Sequence, residues 1–167
     1  ERSYSFEKAI KQQEIIVYNI PQYRAIDFIN GRGFWYIGDS DLLQNDFVQN
    51  FHLKPSRILH RAGKMNWRSN LAAVENWRCF VNKKILLIDN AISYDRPFTR
   101  QAIDLVVVSK NPKLSVARLY NWLDVKLIVF DASVPARNIK YWKKDCDSLH
   151  IPYHDVSEKG AFVMTLN

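Results

Sequence analysis

Glycine and cysteine are scarce in this chain, and long apolar runs are missing. Only five glycines occur among 167 residues. This argues against the Gly-rich loops that cradle phosphates and against the strained Gly-x-Ser-x-Gly elbow of serine hydrolases. The two cysteines, Cys79 and Cys146, have no Cys-x-x-Cys spacing and no paired histidines nearby, which counts against a zinc site or a redox motif. A disulfide between them stays open at this stage. Cys146, set among Lys143, Lys144 and Asp145, reads as a half-buried thiol, since free cysteine mostly behaves as a small hydrophobe. No stretch reaches the ~20 apolar residues of a membrane span, and no signal-peptide pattern opens the chain. Glu1 is not a natural start, so the segment is expected to be part of something longer, and the missing span says nothing of that parent.

With 47% hydrophobic and 13% aromatic residues, the chain has enough apolar side chains for one core. Its net charge of +7 suits nucleic acid, an anionic membrane surface or an acidic partner.

Phe6, Ala9 and Ile10 recur at helical spacing over 4–13, so residues 1–13 are expected to form a helix or linker ahead of a single domain over 14–167. Runs at 14–20, 24–29 and 33–37 read as an antiparallel meander. The Asn30-Gly31 step supplies a tight hairpin, because both residues tolerate positive φ. Leu42, Leu43, Phe47, Val48 and Phe51 keep a period near 3.6, predicting one helix capped by Asp39 or Ser40. Pro55 ends or turns that helix and opens a shorter one carrying His60 and Arg61. Residues 63–75 are aperiodic and read as loop. A hairpin is expected at 77–81 and 84–89 through Asn82-Lys83, followed by a loop over 91–101. Three apolar runs, 105–108, 127–130 and 162–166, alternate with helices at 115–123 and 135–149, which spells strand–helix–strand–helix–strand. The run at 105–108 has no polar alternation, as in a strand buried on both faces.

Candidates for chemistry are few. His150 and His154 have H-x-x-x-H spacing, but Pro152 breaks the helix face that would bring both rings to one zinc; a surface or strand-edge position suits them better. Ser40, Ser109 and Ser133 sit at element ends without flanking glycines. Asp39, Asp41, Asp89, Asp104 and Asp131 lie at strand ends, where α/β active sites form, but helix capping and turn-making is the favoured reading of them. No catalytic residue, metal ligand or cofactor is assigned. The basic residues make the stronger pattern. Lys54, Arg57, Arg61, Lys64 and Arg68 recur every three to four positions with Trp67 among them. Such a stripe suits phosphates, with an aromatic to stack on a base; a solvated helix face beside a core tryptophan is the alternative. Lys110 and Lys113 join the candidate nucleic-acid contacts.

Four phrases carry a family resemblance: Asn50-Phe51-His52-Leu53-Lys54-Pro55-Ser56-Arg57, Ser109-Lys110-Asn111-Pro112-Lys113, Val129-Phe130-Asp131-Ala132-Ser133, and the segment from Tyr153-His154-Asp155-Val156 through Gly160-Ala161-Phe162-Val163. The chain resembles, over about 14–166, the C-terminal soluble domain of ComEC-type competence proteins, in the version found in Bacteroidetes-type bacteria. The resemblance implies an α+β fold, a metallo-β-lactamase-like αββα sandwich in reduced form. It also implies an inner-membrane DNA-uptake channel as the parent, with the domain favoured on the periplasmic side. DNA and the membrane-embedded channel region of the same polypeptide are the implied partners. In that fold a His-x-His-x-Asp-His motif holds metals that activate water, and none occurs here. Where the competence domain has a His-His-Gly-Ser-like turn, this chain has Ser109-Lys110-Asn111-Pro112. The expectation is therefore a non-catalytic domain that contacts DNA or assists channel assembly. Two rivals remain: a hydrolase with an atypical site built from Asp39, Asp89 and His154, and a structural domain packing on its own membrane region.

Overall fold

The computed structural model describes residues 2–64, 71–94 and 99–166. Helix α1 (Arg2–Lys11) leads into a meander of β1 (Gln13–Val17), β2 (Ala25–Asn30) and β3 (Gly33–Gly38). Asn30 pairs with Gly33, so the hairpin turn is Gly31-Arg32, one residue later than the Asn-Gly step suggested. Gly31 supplies the positive φ, +58°. A Cβ there would lie 2.9 Å from the carbonyl oxygen of Ile10, so glycine also lets α1 approach closely.

The single helix expected over 42–51 is broken. Helix α2 (Ser40–Gln44) stops at Asn45, which is extended (φ −96°, ψ 95°) and whose side chain caps α3 (Asp46–Val48) by accepting from Val48 N at 3.2 Å. A π-turn, Gln49–Leu53, then feeds α4 (Lys54–Leu59). Pro55 falls in the first turn of α4, where its missing N–H costs no intrahelical bond.

The segment after α4, expected as loop, holds β4 (Gly63–Lys64), parallel to β3, and β5 (Leu71–Val74), paired with β6 (Trp77–Phe80). Residues 65–70 of that loop lie outside the described residues. β6 turns into β7 (Lys83–Ile88) through Val81 and Asn82, both at positive φ (48° and 61°), as a two-residue I′ turn demands. Next come β8 (Gln101–Ile103), β9 (Leu105–Val108), α5 (Val116–Trp122), β10 (Leu123–Val125), β11 (Ile128–Phe130), α6 (Ala136–Ser148), β12 (Tyr153–Asp155), α7 (Val156–Lys159) and β13 (Phe162–Thr165).

Two sheets result, ordered β13-β1-β2-β3-β4 and β12-β11-β9-β7-β6-β5, with β10 and β8 forming a separate parallel pair. The strand–helix–strand–helix–strand unit is present, but its third strand is β12, parallel to β11, and not the 162–166 run. That run, β13, crosses to the other sheet and pairs antiparallel with β1. Its residues alternate between half-buried and exposed, as suits an edge strand covered on one side.

Ile15, Val17, Ile26 and Phe28 from the first sheet meet Phe80, Ile85, Leu87, Leu105, Val107 and Val129 from the second. Phe28 and Phe80 pack edge to face, 5.4 Å between centroids. Burying each such ring contributes about 1.5–3 kcal/mol. The outer face of the second sheet is covered by Val116 and Leu119 of α5 and by Ile139, Trp142 and Cys146 of α6. Leu42 and Leu53 cover the outer face of the first, over Ile16, Ile29 and Phe34. The layers are thus helix, sheet, sheet, helix, and the chain is α+β.

Candidate functional site

The parallel strands β7, β9 and β11 end side by side, and each is followed within a residue by a polar side chain: Asp89, Ser109 and Asp131. This carboxyl edge is where open α/β sheets gather function. From the other sheet β3 delivers Asp39 to the same edge. A Cβ on the preceding Gly38 would sit 2.3 Å from the Arg24 carbonyl oxygen, so only glycine lets those strand ends close on each other.

Two polar groups organise the edge. Asp131 is fully buried and accepts from Ser109 Oγ (2.5 Å), Ser133 Oγ (2.5 Å) and Ser133 N (2.9 Å), while Ser133 Oγ accepts from Lys110 N at 2.7 Å. Burial drives the Asp131 pKa above the ordinary carboxylate value, although the two serine hydroxyls work against it. The second group bridges the sheets. Lys110, in the left-handed region at φ 62°, gives its ammonium to Asp39, and Asp39 also accepts from Arg24 N at 2.9 Å. The Arg24 guanidinium reaches Asp89 at 2.5 Å. Tyr36 donates to the Asp39 carbonyl at 3.1 Å, and burial together with the Asp39 charge pushes its phenol up to about 12.

Every carboxylate of this edge is engaged by hydroxyls, an ammonium or a guanidinium. An ammonium on Asp39 and a guanidinium on Asp89 repel a divalent cation, so the donor set does not fit the metal centre that the resembled fold implies. Among the described residues no group of three or more His, Cys, Asp or Glu side chains is placed to hold a metal ion. His154 does not join Asp39 and Asp89. It lies on β12, at the far side of β11 and β9 from β7, with Nε2 2.9 Å from the Gly160 carbonyl oxygen and its ring against Phe162. His150 adopts φ 56° in the turn after α6.

The basic stripe is not one surface. Lys54 and Arg61 are exposed on and after α4, but Arg57 turns inward. Its Nε and Nη2 donate to both carboxylate oxygens of the fully buried Asp27 at 2.8 and 2.9 Å, and its guanidinium lies 4.0 Å from the Phe34 ring centroid. Tyr18 donates to the same carboxylate at 2.9 Å and contacts Ser56 Oγ at 3.2 Å. Burial, then the Asp27 charge, raises the Tyr18 phenol well above its usual range. The phosphate role expected for Arg57 gives way to a structural one: it neutralises a buried carboxylate and pins α4 to the sheet. Lys110 stands at the strand-end edge of the second sheet, and Lys113 is exposed beyond it. The Lys64 side chain, Trp67 and Arg68 lie outside the described residues. Cys79 and Cys146 are free thiols, one exposed and one buried; burial pushes Cys146 to about 12, which keeps it protonated and inert.

Ser109, Asp131 and Ser133 were visible in sequence only as polar residues at element ends. The Arg24–Asp89 pair joins positions too far apart in sequence to leave a local signal.

Fold and site together define an α+β two-sheet domain whose strand-end cluster is closed by its own cations. The family model of the ComEC C-terminal domain matches residues 15–166, and the chain belongs to that family. Membership links it to competence DNA uptake and to a membrane protein; among the described residues no helix is long and apolar enough to cross a membrane. Neither the curated proteins nor the solved structures gave a match.

Proposed function

We propose that this chain, with 14–167 as one metallo-β-lactamase-like αββα unit, is a non-catalytic module of an inner-membrane DNA-uptake protein, on the periplasmic side. The observation that carries this is the strand-end edge, where Asp39, Asp89 and Asp131 are held by Lys110, Arg24 and two serines. Their lone pairs already serve the fold. In this role the module contacts DNA electrostatically through the exposed Lys54, Arg61 and Lys113, with Lys64, Trp67 and Arg68 nearby in sequence; Arg57 leaves the set because Asp27 holds it.

Metal analysis of the purified chain and a nuclease assay with added manganese test the first half, with no stoichiometric metal and no cleavage expected. Cleavage abolished by Asp39→Ala would overturn it in favour of an atypical hydrolase. Titration with single-stranded and duplex DNA over a salt series tests the second. Binding is expected to fall steeply with salt, and Lys54→Ala or Arg61→Ala to lower the slope by roughly one phosphate contact each. No binding at low salt would remove the DNA role.

A second reading, packing on the membrane region, is favoured by one observation. Phe47, Phe51, Ile58 and Leu59 are 66–80% exposed on neighbouring helical turns, and monomeric surfaces rarely carry contiguous apolar patches of more than a few hundred Å².

A further inference from the structure

We propose that the ridge formed by α3, the π-turn and α4 docks on an anionic bilayer surface, inserting Phe47, Phe51, Ile58 and Leu59 at the headgroup level. The inference rests on the membrane placement above and not on any contact with DNA.

The ridge cannot hide these side chains by turning. Its inner side is fixed to the first sheet by the buried Leu53 and the half-buried Val48, by the contact of Ser56 with Tyr18, and by the two bonds from Arg57 to Asp27. Its outer side therefore shows Phe47 at 68%, Phe51 at 66%, Ile58 at 74% and Leu59 at 80% exposure. The two phenyl rings pack against each other, tilted by 37° with 4.6 Å between centroids. A shape held this firmly inserts without an ordering cost.

Charge identifies the occupant. The ridge and the residues after it, 46–64, contain Lys54, Arg57, Arg61 and Lys64 against one acid, the exposed Asp46 at the start of α3. Arg57 is spent on Asp27, but Lys54 and Arg61 stand exposed among the apolar residues. Apolar side chains flanked by cations on one helical face are the pattern of an interfacial helix, which adds apolar burial to attraction for anionic headgroups. A neutral protein groove would use the first component and leave the second idle.

The test is co-sedimentation of the 167-residue chain with vesicles of phosphatidylcholine containing a minority of phosphatidylglycerol, beside vesicles of phosphatidylcholine alone. Binding to the anionic vesicles is expected. The double variant Phe47→Ser/Phe51→Ser should lower it about tenfold or more, and Lys54→Glu/Arg61→Glu should weaken it and flatten its salt dependence. All four positions are exposed, so circular dichroism should report an unchanged fold. No vesicle binding would overturn the proposal, as would binding indifferent to the phenylalanine variant, which is charge adsorption alone. Self-association in sedimentation velocity that the phenylalanine variant abolishes, without lipid binding, would assign the ridge to a second copy. Oligonucleotide binding that falls with the phenylalanine variant, again without lipid binding, would assign it to base stacking. The DNA role fails separately, if Lys54→Glu/Arg61→Glu leaves oligonucleotide binding intact.

Discussion

Asp27 and Asp131 are both buried carboxylates with no exposed surface, and they are stabilised in opposite ways. Asp27 is held by the Arg57 guanidinium and the Tyr18 hydroxyl, whereas Asp131 is held by hydroxyls and a backbone N–H. Truncating Arg57 to alanine strands a buried charge, so Arg57→Ala should lower unfolding free energy by about 3–5 kcal/mol, measured by urea denaturation. A surface phosphate contact would cost almost nothing there. Asp131 has a folded-state pKa raised by burial. Its contribution to stability is therefore lost as pH rises from the ordinary carboxylate value through the raised one. Asp131→Asn removes that titration and keeps most of the acceptor geometry, so denaturation midpoints at pH 4 and pH 7, ordinary probing conditions around the carboxylate range, should differ less in the variant than in the parent chain. Asp155 behaves in the reverse sense. Burial works to raise it, but Lys143, 2.5 Å away, and Ser157 outweigh burial and hold its pKa below the usual value. The stability it supplies is lost as pH falls through that lowered value.

At the scale of elements, Gly38 is a tightly constrained joint. Gly38→Ala would drive a Cβ to 2.3 Å from the Arg24 carbonyl and from the Tyr36 hydroxyl oxygen, which forces the ends of β2 and β3 apart. A large loss of thermal stability is expected, read by calorimetry, with Asp39 displaced from Lys110. Which elements could be read beforehand follows from their physics. β9 announces itself because Leu105-Val106-Val107-Val108 is an unbroken apolar run, three of its residues β-branched, and it is buried on both faces. β12 does not, because Tyr153-His154-Asp155 has no apolar run and gains its place only by pairing with β11. The helix over 42–51 kept its periodicity in sequence, yet Asn45 broke it by preferring to cap α3 over continuing α2. The inward turn of Arg57 was equally hidden, since helical spacing gives a face but does not say that a carboxylate waits beneath it.

The whole molecule depends on a pairing between its two ends. β13 is the only neighbour of β1 on that side of the first sheet, and the strand run was legible while its sheet was not, because the partner lies almost a full chain length away. A chain ending at Lys159 should bare the β1 edge and lose soluble yield to aggregation, measured by size exclusion. The register matters for a different property. Glu14 faces Thr165, and Leu166 N donates to the Gln13 carbonyl oxygen at 2.8 Å. Tension applied through residues 13 and 166 would thus open the ladder one bond at a time from a single end, as a zipper, and would not shear all its bonds together. Under load this is a soft joint, and a pulling experiment on these two positions should find β13 peeling away at low force while the buried parallel strands stay intact.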